Sequence, residues 1–406
     1  MNKENKLVAH IEVAKYCEIK GWAYFVDDFS AKVIVQLLDS NNVVLSEMLA
    51  DRIVKDAPSG TQVGDSGYVF YGILKDVAKI VFLFDNNREE EALHISQPQS
   101  LSCLSNYGFY LIHPDDMILQ YVLDLGNDIE ECVRHYITFG EERANNLKTL
   151  CQRYLNENEV PYDLLDFASG YGRVARSLDK SVFCVTVSDI HDEAIRFMSK
   201  ELGLKAFLST TNPHEFTSEH TYDVVFALSF FSHMPDQTFG DWIRALFNLV
   251  KPNGLLIFTT HGRIDKMKSG IPVEDGFGFV SSSEQKDLDT SDYGTTISEA
   301  TYVIKVLNEY IGELPILFEE GAAIGSGHQD VYVVRKPEAA LEIQVDFEQR
   351  YNDLREQREG LEKQYNDLAQ QNDDLNKLVS AIYDSRTWKA GSKVKKMAQF
   401  LCLIKK

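Results

Sequence analysis

The sequence lacks a long hydrophobic run. No stretch of about 18 consecutive apolar residues occurs in its 406 residues, so the sequence predicts no membrane-spanning helix. The N-terminal segment MNKENKLVAHIEVAK has no apolar core of the kind found in secretory signals. We therefore expect a cytoplasmic protein.

Cysteine is scarce and never paired in a CxxC motif. The six cysteines are Cys17, Cys103, Cys132, Cys151, Cys184 and Cys402. Their spacing fits neither a disulfide framework nor a zinc site, so they are predicted to be reduced thiols, most of them buried. The sequence thus predicts no metal site.

Positive charge is also in short supply. The formal net charge is −21, which argues against a nucleic-acid partner because phosphates repel an acidic surface. The charge is uneven, since residues 386–406 carry seven lysines or arginines and no acid. This charge asymmetry indicates that the C-terminal segment has a function separate from that of the rest of the chain.

The sequence pattern divides the chain into four parts, of which the first two are predicted to be folded domains. Residues 7–96 alternate β-rich runs with turn signals, which predicts a small β-sandwich accessory domain over residues 1–100. A helical lead-in is predicted at 114–155, and strands and helices alternate from 162 to 336. That alternation predicts an α/β domain over 101–338, with a doubly wound parallel sheet.

A heptad pattern follows this domain and predicts a coiled coil at 340–385. Apolar residues recur every seven positions at Phe347, Leu354, Leu361, Leu368, Leu375 and Ile382. Asn372 at a core position favours a two-stranded, in-register pair, so we expect a homodimer through 347–382. The alternative is a single solvated helix.

The last segment, 386–406, is predicted to be a basic amphipathic helix. Val394, Met397, Leu401 and Ile404 share one helical face, whereas the lysines lie largely elsewhere. Such a helix suits the anionic inner face of the plasma membrane, which would make the protein peripheral there. Docking onto another subunit and disorder are the alternatives.

The glycine-rich segment LLDFASGYGRVARSL, at 164–178, contains the main binding motif. Gly170, Gly172 and Ala175 match GxGxxA, and Asp189 lies nineteen positions beyond Gly170 at the end of the next predicted strand. A carboxylate there can bind both ribose hydroxyls of a nucleotide. Because the strand ends at Asp166, four residues before Gly170, the segment is also a variant of DxGxGxG. A plain strand-to-helix turn is the alternative.

Taken together, the motifs resemble the class I S-adenosylmethionine-dependent methyltransferases, particularly those of bacterial surface-polysaccharide and other glycan pathways. The segments are YITFG at 136–140, DFASGYGRVAR at 166–176, VSDI at 187–190, YDVVFALSFFSHMP at 222–235, LVKPNGLLIFTTHG at 249–262 and HQDVYVV at 328–334. The resemblance implies a Rossmann-like methyltransferase sheet closed by an antiparallel hairpin, with S-adenosyl-L-methionine as cofactor. Ala168 stands where the family usually has glycine.

The resemblance also implies which residues bind the cofactor. They are Tyr136, Gly140, Asp166, Ala168, Gly170, Gly172, Asp189, Ile190, Ser209, Thr210 and Ser229. Asp166 is expected to attract the amino group and sulfonium, Asp189 to hold the ribose hydroxyls, and Ile190 to cover the adenine.

Two histidines are candidate general bases for a hydroxyl acceptor. His233 follows the fourth predicted strand and His261 ends the fifth. A histidine pKa near neutrality suits proton removal, although His233 could instead orient a loop. Residues 262–296 are predicted to cover the acceptor.

The sequence therefore predicts an O-methyltransferase acting on a sugar hydroxyl in bacterial cell-surface polysaccharide biosynthesis. The expected acceptor is a glycan or another small molecule. Two alternatives stay open. One is a non-catalytic scaffold that keeps the fold and assembles through the coiled coil, and the other is a nicotinamide-dependent oxidoreductase.

Overall fold

The computed structural model describes residues 7–26, 31–53, 65–84, 87–93, 95, 104–282, 288–338 and 377. The described residues up to 338 lie in one compact unit. The coiled coil at 340–385 and the tail at 386–406 lie outside the described residues, apart from Lys377, so both stay predictions.

The N-terminal part folds into two antiparallel sheets. Its strands are β1 (Leu7–Ala14), β2 (Glu18–Phe25), β3 (Ile34–Leu38), β4 (Val44–Leu49), β5 (Arg52–Ile53), β6 (Asp65–Ile73), β7 (Lys79–Phe84), β8 (Asn87–Ala92) and β9 (Tyr110–Ile112). One sheet has the order β1-β2-β6-β5, with β9 also paired to β6, and the other has the order β4-β3-β7-β8.

Hydrophobic residues of the two sheets share one core. Ile19 and Phe25 of the first sheet and Val35 and Phe82 of the second are buried in the same cluster. Because β9 pairs with β6, the first sheet extends past residue 100, where the sequence placed a domain boundary. An independent accessory sandwich domain stays a prediction.

The α/β part follows. Its helices are α1 (Met117–Asp124), α2 (Ile129–Tyr154), α3 (Asp192–Lys200), α4 (Asp236–Asn248), α5 (Arg263–Ser269) and α6 (Ala300–Ile311). Its strands are β10 (Tyr162–Phe167), β11 (Phe183–Asp189), β12 (Lys205–Leu208), β13 (Tyr222–Ala227), β14 (Val250–His261), β15 (Phe277–Val280), β16 (Thr295–Ser298), β17 (Leu317–Glu319) and β18 (Gln329–Arg335). None of the helices among the described residues is long and apolar enough to cross a membrane.

The main sheet has seven strands in the order β12-β11-β10-β13-β14-β18-β17. Its first five strands are parallel to their neighbours, whereas β18 runs antiparallel to β14 and β17 runs antiparallel to β18. This arrangement confirms the predicted doubly wound sheet and its antiparallel closing pair. β15 and β16 form a separate antiparallel hairpin within the predicted acceptor cover.

Both faces of the main sheet are buried, which explains the apolar runs in its central strands. Leu164 and Leu165 are neighbours in β10 but belong to different core clusters, as alternation along a strand requires. Leu164 packs in the cluster that contains Leu147 of α2, and Leu165 packs in the cluster that contains Trp242 of α4. Because helices cover the two faces of the sheet, the carboxyl edge of its strands is the place where a site can form.

One predicted helix is absent from the structure. RVARSLD was expected to form a helix after the glycine-rich segment, but only a single 3₁₀ turn forms there, at Ala175–Ser177. Tertiary contacts decide this local structure. The guanidinium of Arg173 lies 3.7 Å from the centre of the Phe139 ring in α2, and Arg176 donates to the Leu111 carbonyl in β9. Both arginines thus tie the segment to neighbouring elements.

Candidate functional site

A glycine turn, residues Ala168–Gly172, follows β10 at the carboxyl edge of the sheet. Ala168, Gly170 and Gly172 have φ angles of 54°, 57° and 76°, in the left-handed region that favours glycine. Ala168 adopts this conformation at a cost of about 1 kcal/mol. A Cβ added to Gly170 would meet no atom within 4 Å, so this residue borders open space. The turn therefore presents main-chain atoms to open space at the carboxyl edge of the sheet.

Asp189 fixes the glycine turn from the end of β11. One of its carboxylate oxygens accepts the amide hydrogen of Gly170 at 2.8 Å, and the other accepts that of His191 at 3.0 Å. Asp189 is buried, and its Oδ1 atom also lies 2.9 Å from Nδ1 of His191. The Oδ2 atom accepts only the Gly170 amide among these bonds, so it can accept a further hydrogen bond from a hydroxyl group while it supports the turn.

Asp166 provides a second carboxylate at the same edge. It is 3% exposed, and its Oδ2 atom has no hydrogen-bond partner among the described residues. Burial, together with the negative charge of Asp189, raises the Asp166 pKa to about 8. A buried, unpartnered carboxyl beside a second acid favours a cationic ligand, because a cation would offset the desolvation of the charged form.

Helix α2 packs through Tyr136 and Gly140 against Arg173, the residue that follows the glycine turn. The Tyr136 hydroxyl donates to Asp116, the N-cap residue of α1, at 2.6 Å. Gly140 faces the carbonyl oxygen of Arg173 so closely that an added Cβ would clash with it. Both predicted cofactor residues therefore have structural contacts next to the turn. Gly140 packs against the Arg173 backbone, and the Tyr136 hydroxyl is bonded to Asp116.

We expect Gly140→Ala to destabilise the protein by about 1–3 kcal/mol, because a methyl group would have to displace the backbone of Arg173. The matched control is Gly108→Ala, where an added Cβ meets nothing within 4 Å. Urea unfolding of both variants measures the difference. Equal stability of the two variants would show that α2 does not press on the turn.

Three further cofactor candidates follow β11 and β12. Ile190 is half-buried directly after Asp189. Ser209 is buried and donates its amide hydrogen to the Asp189 carbonyl at 2.7 Å, whereas the Thr210 hydroxyl caps a turn at Asn212. All three residues lie at the edge that carries Asp189, but the Thr210 hydroxyl has a local partner.

His233 lies in the loop after β13 and is held rigidly. It is 7% exposed, and its ring stacks on Tyr293 with centroids 4.4 Å apart. Its Nδ1 atom is 2.7 Å from the carbonyl oxygen of Gly294. Since a carbonyl oxygen can only accept, Nδ1 carries the proton and Nε2 is the basic nitrogen. This is the tautomer that a general base requires.

His261, the second candidate base, lies beside His233, with ring centroids 6.3 Å apart. Its Nε2 atom is 3.3 Å from Nε2 of Gln329. Its Nδ1 atom is buried and has no hydrogen-bond partner within the part of the chain that the structure describes. Burial lowers the pKa of His261, with the Asp265 carboxylate acting in the opposite direction.

Gln329 is a site residue that the sequence analysis missed. Its side chain bonds the hydroxyls of Ser229, at 3.0 Å, and Thr259, at 2.7 Å, as well as meeting His261. Ser229, a predicted cofactor residue with a φ of 61°, is thereby connected to the candidate base His261. The signal was available in the topology, since an antiparallel last strand brings its first residue to the carboxyl edge of β14.

Comparison with known proteins identifies the central part of the chain. Residues 139–285 match the family model of a methyltransferase domain. This part of the chain is a methyltransferase domain. Its sheet order and antiparallel closing strands agree with the class I, Rossmann-like type.

Curated relatives of the methyltransferase domain include two ubiquinone biosynthesis O-methyltransferases. The protein from Vibrio cholerae is 33% identical over 105 residues, which is 25% of this chain and 42% of the relative. The protein from Vibrio campbellii is 35% identical over 111 residues, or 26% of this chain and 46% of the relative. The chain thus spans less than half the length of the curated relatives it matches.

Solved structures similar to the methyltransferase domain include two N-methyltransferases. The 1,6-didemethyltoxoflavin-N1-methyltransferase of Burkholderia thailandensis is 13% identical with a TM-score of 0.36, and the match covers 57% of this chain and 94% of that one. NodS of Bradyrhizobium japonicum is 15% identical with a TM-score of 0.35, covering 55% and 100%. The assignment of the domain rests on the family match and the sheet order.

Proposed function

We propose that this protein is an S-adenosylmethionine-dependent methyltransferase that acts on a hydroxyl group. The observation that carries the proposal is the pair of buried carboxylates, Asp166 and Asp189, on either side of a glycine turn that borders open space. A cationic nucleoside matches both features, since Oδ2 of Asp166 lacks a hydrogen-bond partner among the described residues and Asp189 lies where ribose hydroxyls are expected.

The residues present fit this cofactor. Asp166 would face its positively charged amino group and sulfonium, and Asp189 would hold the ribose hydroxyls. The main chain at Gly170 allows close approach, because no Cβ fills the space there. Ile190 covers the adenine, and Ser209 lies nearby at the same edge.

His233 removes the proton of the acceptor hydroxyl through Nε2, while Nδ1 stays bonded to the Gly294 carbonyl. When bound, S-adenosylmethionine supplies a methyl group on a sulfonium, whose bonding electron pair returns to sulfur as the methyl leaves. Tyr293, stacked on the His233 ring, keeps Nε2 oriented. The protein mainly supplies alignment and a base for this transfer.

The proposed acceptor is a sugar hydroxyl of a bacterial surface polysaccharide. Two observations support an oxygen acceptor: a histidine held in the tautomer of a base, and the names of the Vibrio relatives, which are O-methyltransferases. The sugar itself is inferred from the resemblance of the sequence motifs alone.

A labelled-methyl assay tests this function directly. The full chain is incubated with methyl-labelled S-adenosylmethionine and with glycans and lipid-linked precursors from the native cell. We expect label in a fraction that glycosidases release. Label only in quinone or protein fractions would contradict the sugar acceptor, and cofactor binding without any transfer would favour the non-catalytic scaffold.

Replacing the proposed base should slow the reaction without affecting cofactor binding. We expect His233→Ala to lower turnover by roughly 10²-fold or more, since general bases contribute about that much. The control is His214→Ala, whose side chain is 71% exposed in the loop before β13. Single-turnover kinetics and calorimetry with S-adenosylmethionine separate the two effects. A near-normal rate would remove His233 from this role.

A further inference from the structure

A second cluster of ligand-type side chains lies beside the proposed base. His261 ends β14, Asp265 is in the first turn of α5, and His328 directly precedes β18. One nitrogen of each imidazole and one carboxylate oxygen lie within 4.8 Å of one another. His261 and Asp265 are four positions apart in the sequence, and His328 lies near them because β18 runs antiparallel to β14 and pairs Gln329 with His261.

The geometry is close to that of a metal site. The carboxylate of Asp265 is already 3.0 Å from Nδ1 of His328. Ligand atoms about 2.1 Å from a tetrahedral ion are about 3.4 Å apart. The Asp265–His328 pair is close to this spacing, and the ligand atom of His261 lies within 4.8 Å of both. Nδ1 of His261 is buried and lacks a hydrogen-bond partner among the described residues.

Access and chemistry both suit a transition metal. The side chains of His328 and Asp265 are 33% and 15% exposed, so an ion can enter from solvent. Two imidazoles and one carboxylate favour zinc-type ions over magnesium, which prefers oxygen ligands. Three protein ligands leave at least one coordination position open.

The cluster is connected to the proposed reaction site. His261 meets Gln329, which bonds the Ser229 hydroxyl, and its ring lies 6.3 Å from that of His233.

We propose that His261, Asp265 and His328 bind one divalent transition-metal ion of the zinc type, with its open position toward the acceptor. The role toward the acceptor rests on the proposed function, whereas the binding of the ion does not. A metal-bound His261 cannot act as the base, which leaves proton removal to His233.

Metal titration of the full chain tests the proposal. The protein is treated with a chelator, and Zn²⁺ is then added in a calorimeter; Co²⁺ in a parallel sample reports the ligand field through its visible absorption. We expect one equivalent of metal per chain and a tetrahedral or five-coordinate Co²⁺ spectrum. His328→Ala should weaken binding about 100-fold or more, because it removes one of only three protein ligands.

The matched control is His220→Ala, a histidine exposed in the loop before β13. Far-ultraviolet circular dichroism and S-adenosylmethionine binding show whether each variant is folded; if His328→Ala fails to fold, Asp265→Asn takes its place. No zinc binding by the wild type, or equal affinity in the triad variant and the control, overturns the proposal. Zinc binding without S-adenosylmethionine binding would instead overturn the proposed function and leave the metal site standing.

Discussion

Asp189→Ala is expected to abolish detectable binding of S-adenosylmethionine. The carboxylate has two tasks, since it holds the amide of Gly170 and is proposed to hold the ribose hydroxyls. Hydrogen bonds to a charged group contribute about 1.5–3 kcal/mol each, so losing two of them lowers affinity about 100-fold or more. Isothermal calorimetry on the full chain measures this loss.

The control for this variant is Asp192→Ala, three positions further on. Asp192 is exposed at the start of α3 and pairs with Arg196, so its loss should leave the cofactor affinity unchanged. Asp189→Asn adds a finer test, because an amide keeps the shape of the side chain but only one acceptor oxygen. Affinity within a few-fold of wild type in Asp189→Ala would contradict the proposed ribose site.

Asp166→Asn is expected to act in opposite directions on stability and on binding. The ligand-free variant should be more stable than wild type above neutral pH, because a neutral amide carries no cost of burying a charge. The same variant should bind S-adenosylmethionine at least about 10-fold more weakly, since a charge-assisted contact is lost. Thermal unfolding with and without the cofactor measures both effects.

The pH dependence follows from the direction of the pKa shift. The folded-state pKa of Asp166, about 8, lies above the ordinary aspartate pKa of 3.8, so the folded protein holds this proton more tightly than the unfolded chain does. The contribution of Asp166 to the free energy of unfolding is therefore most favourable below about pH 4. That contribution is lost progressively as the pH rises to about 8. The stability advantage of Asp166→Asn should grow over the same range, reaching several degrees in the unfolding midpoint.

Asp163→Asn is the matched control for Asp166→Asn. Asp163 lies in the same strand but is half-exposed and pairs with Lys251 at 2.7 Å. Its loss should lower stability by no more than about 1 kcal/mol. A decrease in the stability of ligand-free Asp166→Asn at pH 8 would mean that the Asp166 carboxylate has a stabilising partner and is no vacant cation site.

Much of the α/β fold could be predicted from hydrophobic pattern. The mainly apolar segments at 162–167 and 222–227 form strands that are buried on both faces of a parallel sheet, as such strands usually are. Helical periodicity placed α4 and α6 correctly, because each buries one face against the sheet. Local pattern and tertiary structure agree in these segments.

The pattern failed where distant contacts decide the local structure. Arg173 and Arg176 have good helix propensity, yet their packing against Phe139 and Leu111 leaves only a single turn. The pairing of β9 with β6 could not be predicted for a similar reason. Strand β9 has three residues, which are too few to show the alternation that predicts a strand. Neither contact can be read from neighbouring residues.

The candidate site was predictable to the extent that it depends on backbone turns and strand ends. The positions of Gly170, Asp189 and His233 follow from the strand order. Gln329 and the triad partner Asp265 could not be found in this way, because their place depends on how β18 and α5 return to the carboxyl edge. Side-chain contacts between elements that are distant in sequence can be identified only from the three-dimensional structure.

A crystal structure of the full chain soaked with S-adenosylhomocysteine tests the central claim most directly. We predict the nucleoside beside Gly170, with its ribose hydroxyls within hydrogen-bonding distance of Asp189 and its amino group near Asp166. An empty site at saturating ligand, or a nucleoside bound elsewhere on the chain, would contradict the account.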